Sequence, residues 1–378
     1  MRTATKRAVV SSAALLLTAL SLTACSNGAS NSGSGSSSSS SSGGSSQSAQ
    51  NAKIGLLLPD TVTPRYATAD KPYFEAEVKA KCPSCTVLYQ NAAGSAATQQ
   101  QQAQAMLAQG VKVLVLDPFD GEAAASIVTQ AKAKNVPVVS YDRLIDSGDL
   151  AAYISFDNEK VGQLQAQALV DHLKALKVAS NAGILEVNGS PTDNNASQFK
   201  KGALSVLSKT SYKVLGEYDT PGWDPAKAQT WAQGQISKVG ASNVKGVYAA
   251  NDDTGGAVIA ALKSAGVKTL PPVTGQDASL AGVQRILAGQ QYMTVYKAFK
   301  PEASDAADIA VALAEGQTAN LTSTATTAKG ATVKAELLNP VAVTASNIES
   351  TVVKDALYKV SDICTSTYQA ACTKYGIK

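Results

Sequence analysis

Nine runs fit to be β-strands stop on a polar or charged residue: LLLPD, LYQN, VLDP, SYDR, SFDN, EVNG, EYDT, AAND and GQD. Ligands of open parallel sheets bind in the crevice beyond the carboxyl ends of the strands, so such a series is what a binding crevice requires. Asp and Asn are also good turn formers and helix N-caps after a strand, and Asp60 and Asp157 fit that reading well. Asp142 and Arg143, in VVSYDRLID, fit it less easily. A carboxylate beside a planar fork of donors on a short loop can accept from one hydroxyl and donate to its neighbour. Vicinal hydroxyls are the defining feature of a sugar.

Further candidates agree in chemical type: Asp193 and Asn195 in GSPTDNNA, Asn251 and Asp252 in AANDDTGG, Asp277 in TGQDA, and Lys297 in TVYKAF. None belongs to a phosphate-binding pattern such as GxGxxG or GxxxxGK[ST], which disfavours a nucleotide or phosphosugar. Trp223, in DTPGWDPAKA, precedes a helix expected to be capped by Asp224 with Pro225 at its first position, where an indole can stack on a sugar's apolar face or anchor packing. Tyr66, beside Arg65 in TVTPRYATAD, is a second aromatic candidate, and Trp231 reads as core. Catalysis has little material. The single histidine, His172, sits in a helical pattern, so no Ser/His/Asp triad or His-rich metal site can be built, and no catalytic residue, metal or cofactor is assigned. A carboxylate pair such as Asp142 and Asp277 is the one arrangement that could process a glycoside, but so many charged donors suit holding a sugar better than cleaving it.

These residues need elements to hold them. From residue 53 onward short apolar runs alternate with helical patterns of ten to fifteen residues, the signature of βαβ units. The expected strands are AKIGLLL, CTVLYQ, VKVLVL, VPVVSY and AAYISF, then AGILEV, YKVLGEY, GVYAA and PPVTG. They divide near residue 156 into two sets, each large enough for a doubly wound sheet. Length (378 residues) and an apolar fraction of 44% allow two such cores.

The N-terminus carries an address rather than fold. Arg2, Lys6 and Arg7 precede an apolar run too short to span a membrane stably, as in a secretory signal. It ends in Leu22-Thr23-Ala24-Cys25, which resembles a bacterial lipobox with Cys25 as the lipidated residue; a plain signal peptide with an incidental cysteine is the alternative. Residues 26–52, rich in Ser and Gly, cannot bury enough apolar surface to fold and read as a tether. The formal net charge of +4 owes three of its basic residues to the signal, and no basic cluster with interleaved aromatics points to nucleic acid. Four cysteines remain in an exported chain. Proximity favours the disulfides Cys82 with Cys85 and Cys364 with Cys372, with a four-thiolate zinc site or a redox CxxC as alternatives.

The stretches VVSYDRLI, YISFDNEKVGQLQAQALV, NGSPTDNNA, GWDP, NDDTGGAVIAAL and GQDASLAGVQRILAGQQYMTVYK resemble the xylose-binding proteins of ABC sugar importers, in the type I periplasmic binding protein family. The resemblance covers most of residues 53–345. It implies an α/β fold of two Rossmann-like lobes with parallel-type sheets and a three-segment hinge, crossing near residues 155, 278 and 326. Lobe 1 would then comprise 53–155 plus 279–325, and lobe 2 would comprise 156–278 plus 326–378 with a C-terminal extension, after a signal at 1–24 and a lipidated tether at 25–52. It implies sugar contacts from Asp142, Arg143, Asp193, Asn195, Asn251, Asp277 and Lys297, stacking by Trp223, and more loosely Arg65, whose segment departs from the family's usual wording. The implied partners are a monosaccharide, D-xylose or a related aldose, an ABC permease, and the membrane through the lipid. The chain would act as a monomer at the outer face of the bacterial cytoplasmic membrane, with a sugar-sensing receptor lipoprotein as the alternative role. A sugar-responsive repressor would share the fold but needs a helix-turn-helix where this chain has a signal and tether.

Overall fold

The computed structural model describes residues 51–378; the signal, Cys25 and nearly all of the tether lie outside the described residues. The chain first builds a parallel sheet from β1 (Lys53–Leu58), α1 (Lys71–Lys81), β2 (Thr86–Asn91), α2 (Ala96–Ala108), β3 (Val113–Leu116), α3 (Ala125–Lys132), β4 (Val138–Tyr141) and β5 (Ala152–Phe156). VLVL and VVSY are buried at every position, as strands covered on both faces must be.

The chain then leaves this sheet. The elements α4 (Asn158–Ala175), β6 (Gly183–Asn188), α5 (Asn194–Leu207), β7 (Lys213–Asp219), α6 (Pro225–Val239), β8 (Val244–Ala249), α7 (Asp252–Ser264), α8 (Leu280–Leu287) and β9 (Thr294–Tyr296) form the second lobe. Its parallel ladder runs β7-β6-β8. The expected strand at PPVTG is reduced to a single parallel bridge between Val247 and Val273, but backbone bonds from Tyr292 and Val295 to the carbonyls of Val273 and Gly275 carry the sheet on to β9. In this lobe α4 and α5 pack at their glycines: a Cβ at Gly162 would meet the Phe199 carbonyl, and one at Gly202 the Glu159 carbonyl.

Then α9 (Phe299–Ala314) returns to the first lobe, where its alanine face joins the core of Leu56, Phe74, Val115 and Ile154. β10 (Ser323–Thr326) and β11 (Thr332–Leu338) follow, with β11 parallel to β5, giving the order β10-β11-β5-β4-β3-β1-β2. β12 (Val341–Val343) pairs antiparallel with β9, and α10 (Val360–Ile363) and α11 (Gln369–Tyr375) close the chain against α8 in an apolar cluster that includes Ile286, Val352 and Cys372.

Two of the three expected crossings are thereby corrected. The first stands beside Asp157, close to residue 155. The second is not near 278: α8 and β9 stay with the second lobe, and the chain crosses between Tyr296 and Phe299. The third is not near 326, because β10 and β11 extend the first sheet and the crossing follows Leu338. Residues 279–296 thus belong to the second lobe and 326–338 to the first. The Asp157 amide donates to the Leu338 carbonyl and joins two crossings. Both expected disulfides form, with Cα atoms 5.3 Å apart for Cys82 and Cys85 and 5.9 Å apart for Cys364 and Cys372.

Candidate functional site

The carboxyl ends of both sheets face a shared cavity, with about 310 Å³ of space not filled by protein atoms once its open mouth is included. Ten candidate residues of the sequence analysis line it, Arg65, Tyr66, Asp142, Arg143, Asp193, Asn195, Trp223, Asn251, Asp277 and Lys297, whereas the candidate Asp252 does not. Three liners were not foreseen, Thr63, Phe199 and Gln276. Thr63 and Gln276 flank named residues. Phe199 stands one helical turn after Asn195 on α5, a spacing that could have revealed it.

The cap and site readings prove compatible. Asp193 accepts from the Asn195 amide at the start of α5, and Asn251 accepts from the Thr254 amide at the start of α7, while both side chains also face the cavity. Capping fixes their orientation. Asp157 and Asp60 are used as expected for a helix cap and a turn, the first bonding the Lys160 amide and the second those of Val62 and Thr63. Trp223 enters between β7 and α6, whose Asp224 cap and Pro225 are in place. Its indole lies over Gly189, where any Cβ would collide with the ring; it donates to Asp193 at 2.9 Å and meets Phe199 edge-on at 6.2 Å.

The first lobe's wall is an ion network. Arg65, just after β1, grips Asp70 with two bonds of 2.9 and 2.6 Å, Glu302 of α9 at 2.6 Å and Asp142 at 3.2 Å, and its guanidinium lies 4.0 Å from the centre of the Phe299 ring. The Tyr141 hydroxyl donates to Asp70. Burial pushes the Glu302 carboxyl well up, only partly offset by Arg65, and its second oxygen has no hydrogen-bond partner. Asp142 also receives Lys297 at 3.1 Å. Burial alone would raise its pKa, but Arg65, Lys297 and Arg143 outweigh that and hold the carboxyl far below its ordinary range. Asp142 is therefore a permanent acceptor.

Asp142, Trp223 and Asp277 all have positive φ, of 53°, 57° and 93°. Such backbone persists where neighbours over-determine it, and it concentrates at sites that bind. For Asp142 the neighbours are the Ser155 and Tyr153 hydroxyls and the Asn195 amide, all donating to its carbonyl. For Asp277 the loop is held by Asp252, which accepts from Ser279 at 2.8 Å and from Gln291 at 2.6 Å. Asp252 thus supports the site instead of lining it. Burial, with Lys297 and Arg65 pulling the other way and Asp252 and Asp253 adding to it, raises Asp277 to about 7.

Contacts join the lobes across the cavity. The Arg143 Nε of the first lobe is 3.0 Å from Asp193 of the second, and the Asn195 amide reaches the Asp142 carbonyl at 3.0 Å. The lobes are closed on each other. Among the described residues no cluster of His, Cys, Asp and Glu is arranged to hold a metal ion, and no helix is long and apolar enough to cross a membrane.

Residues 54–318 match the family described as periplasmic binding protein domain. The chain belongs to that family. It is 37% identical over 319 residues to the D-xylose-binding periplasmic protein of Escherichia coli K12, covering 83% of this chain and 93% of that one. It is 36% identical over 283 residues to the multiple sugar-binding periplasmic receptor ChvE of Rhizobium radiobacter, covering 70% and 80%. Among solved structures, a carbohydrate transporter solute-binding protein from Chloroflexus aurantiacus in complex with D-glucose superposes with a TM-score of 0.75 at 30% identity, covering 83% of this chain and 98% of that one. An ABC transporter solute-binding protein from Clostridium phytofermentans with bound β-D-glucose gives 0.76 at 29% identity, covering 82% and 99%. The two-lobed α/β fold of this family member is the one expected from its alternating strands and helices.

Proposed function

We propose that this chain captures a monosaccharide, D-xylose or a related aldose, between its lobes and presents the closed complex to an ABC permease, without chemical change to the sugar. The carrying observation is the cavity wall itself: fixed charged acceptors and donors (Asp142, Arg143, Asp193, Lys297) beside an indole and a phenyl ring. Hydroxyls need the former, and the apolar face of a pyranose needs the latter. The relatives named for xylose and multiple sugars, and the structures holding glucose, support that substrate class.

Binding and closure are one event in this reading. A ligand that touches both lobes stabilises only the closed arrangement, so it shifts the open–closed equilibrium by its differential affinity for the two states. The permease then selects the closed shape. Cys25, by its lipobox, would tether a monomeric domain at the outer face of the cytoplasmic membrane.

The test is a thermal-shift and calorimetry panel of D-xylose, D-glucose, D-galactose, L-arabinose and D-ribose on the purified domain. A sugar at 100 times its dissociation constant should stabilise the fold by about 2.7 kcal/mol. If no monosaccharide raises the transition, the substrate class is wrong, and not merely the choice of pentose.

A further inference from the structure

Arg143 faces carboxylates of both lobes at once. Its Nε lies 3.0 Å from Asp193 in the second lobe but also 3.7 Å from Asp117 in its own, and its Nη2, which donates to the Tyr66 hydroxyl at 2.9 Å, is 3.6 Å from Asp60. Asp117 is fully buried and neither of its carboxylate oxygens has a hydrogen-bond partner; Asp60 Oδ2 is unpartnered too. Three buried carboxylate oxygens without donors are costly in a settled core. They stand one small movement from the guanidinium.

Position in the fold explains them. Asp60, Asp117 and Arg143 follow β1, β3 and β4, three neighbouring strands of one sheet, and must travel together. Asp193 caps α5 and must travel with the other lobe. When the cleft opens, Asp193 withdraws and Arg143 loses its nearest anion.

We propose that Arg143 exchanges partners as the lobes move, pairing with Asp193 in the closed state and with Asp117, assisted by Asp60, in the open state. This rests on the reading above that closure over a sugar is the working motion. Asp117 acts as a positioning residue and touches no sugar. In the closed arrangement burial pushes its carboxyl well up, Arg143 offsetting only part, with Asp142, Arg65 and Asp193 the other charges around it. Neither Asp117 oxygen accepts a hydrogen bond in the closed arrangement, so an amide of the same shape gives up none there. Only the open state uses its charge, so Asp117→Asn removes a contact from the open state and leaves the closed one intact.

The experiment uses the wild-type domain and Asp117→Asn, each carrying one fluorophore per lobe, with single-molecule energy transfer read without ligand and with D-xylose or D-glucose, alongside stopped-flow release. The variant should spend more time closed without ligand, release sugar more slowly and bind about fivefold or more tightly, the lower end of the range for linked equilibria. A residue of merely structural value would weaken binding when altered. An unchanged ligand-free closed fraction overturns the exchange, as does weaker binding. If Asp117→Asn does not fold, Asp60→Asn must show the same sign at smaller size, and its failure to do so is equally decisive. Should the wild type bind neither sugar, the substrate reading fails while the ligand-free comparison still decides the exchange.

Discussion

Asp277 ought to be a liability to the fold and an asset to binding, and replacing it by Asn separates the two. Its folded pKa of about 7 lies about three pH units above an ordinary carboxyl, and each unit is worth about 1.36 kcal/mol. The sign follows from the raised value. Below about pH 4 the carboxyl is protonated in both folded and unfolded chains and costs nothing extra. Between about pH 4 and 7 the unfolded chain ionises first, so stability drains away as pH rises and the loss is complete above pH 7. That loss is about 4 kcal/mol at most, and about 2 kcal/mol once the pocket relaxes. Asp277→Asn never ionises and escapes it. In the ligand-free protein the variant should melt roughly 4 to 8 °C higher at pH 8, at about 2 °C per kcal/mol for a chain of this size, and the gain should vanish toward pH 4. Calorimetry at pH 8 should show sugar affinity falling roughly tenfold to a hundredfold, since a bond to a charged acceptor is worth about 1.5 to 3 kcal/mol. Differential scanning calorimetry of both proteins at pH 4, 5.5 and 8 decides the first part. A variant no more stable than wild type at pH 8, or a difference flat with pH, refutes the burial argument; unchanged affinity refutes the place of Asp277 in the site.

Two further outcomes test the framework around the site. Arg65→Ala leaves Asp70, Asp142 and Glu302 buried around a missing cation and should cost about 3 to 5 kcal/mol in urea unfolding. Replacing both Cys364 and Cys372 by Ser opens a short loop in the cluster that packs on α8 and should cost about 2 to 3 kcal/mol, and reductant should then lower the midpoint of denaturation less than it does in the wild type, because only the Cys82–Cys85 link remains to be reduced.

Much of the site was legible because its residues sit at strand ends, and strand ends are marked in the chain by an apolar run meeting Asp, Asn or Arg. YDR, AND and GQD each carried that mark, while TDN lies in the loop that follows EVNG and caps α5. Phe199 did not, since an aromatic on a helix reads as core until the helix is seen to start at the cavity. The crossings were misplaced for a related reason. TVKAELL alternates buried and exposed positions, as the outer part of a sheet does, but nothing local in β10 and β11 marks them as staying with the first-lobe helix that precedes them. The pairing of β11 with β5, residues 152–156, is a contact across nearly two hundred positions.

The sequence by itself determined which chemistry could be present: local patterns of apolar runs, caps and turns fix the elements, and the residues that end them are read directly. The tertiary structure decided the charge states and the backbone strain. Asp142 is held ionised by Arg65 and Lys297, 77 and 155 positions away, whereas Asp117, in a similar strand-end setting, is left without a donor and Asp277 is raised to about 7. Burial and the distance to the next charge set a carboxyl's behaviour, and both are properties of how distant segments meet.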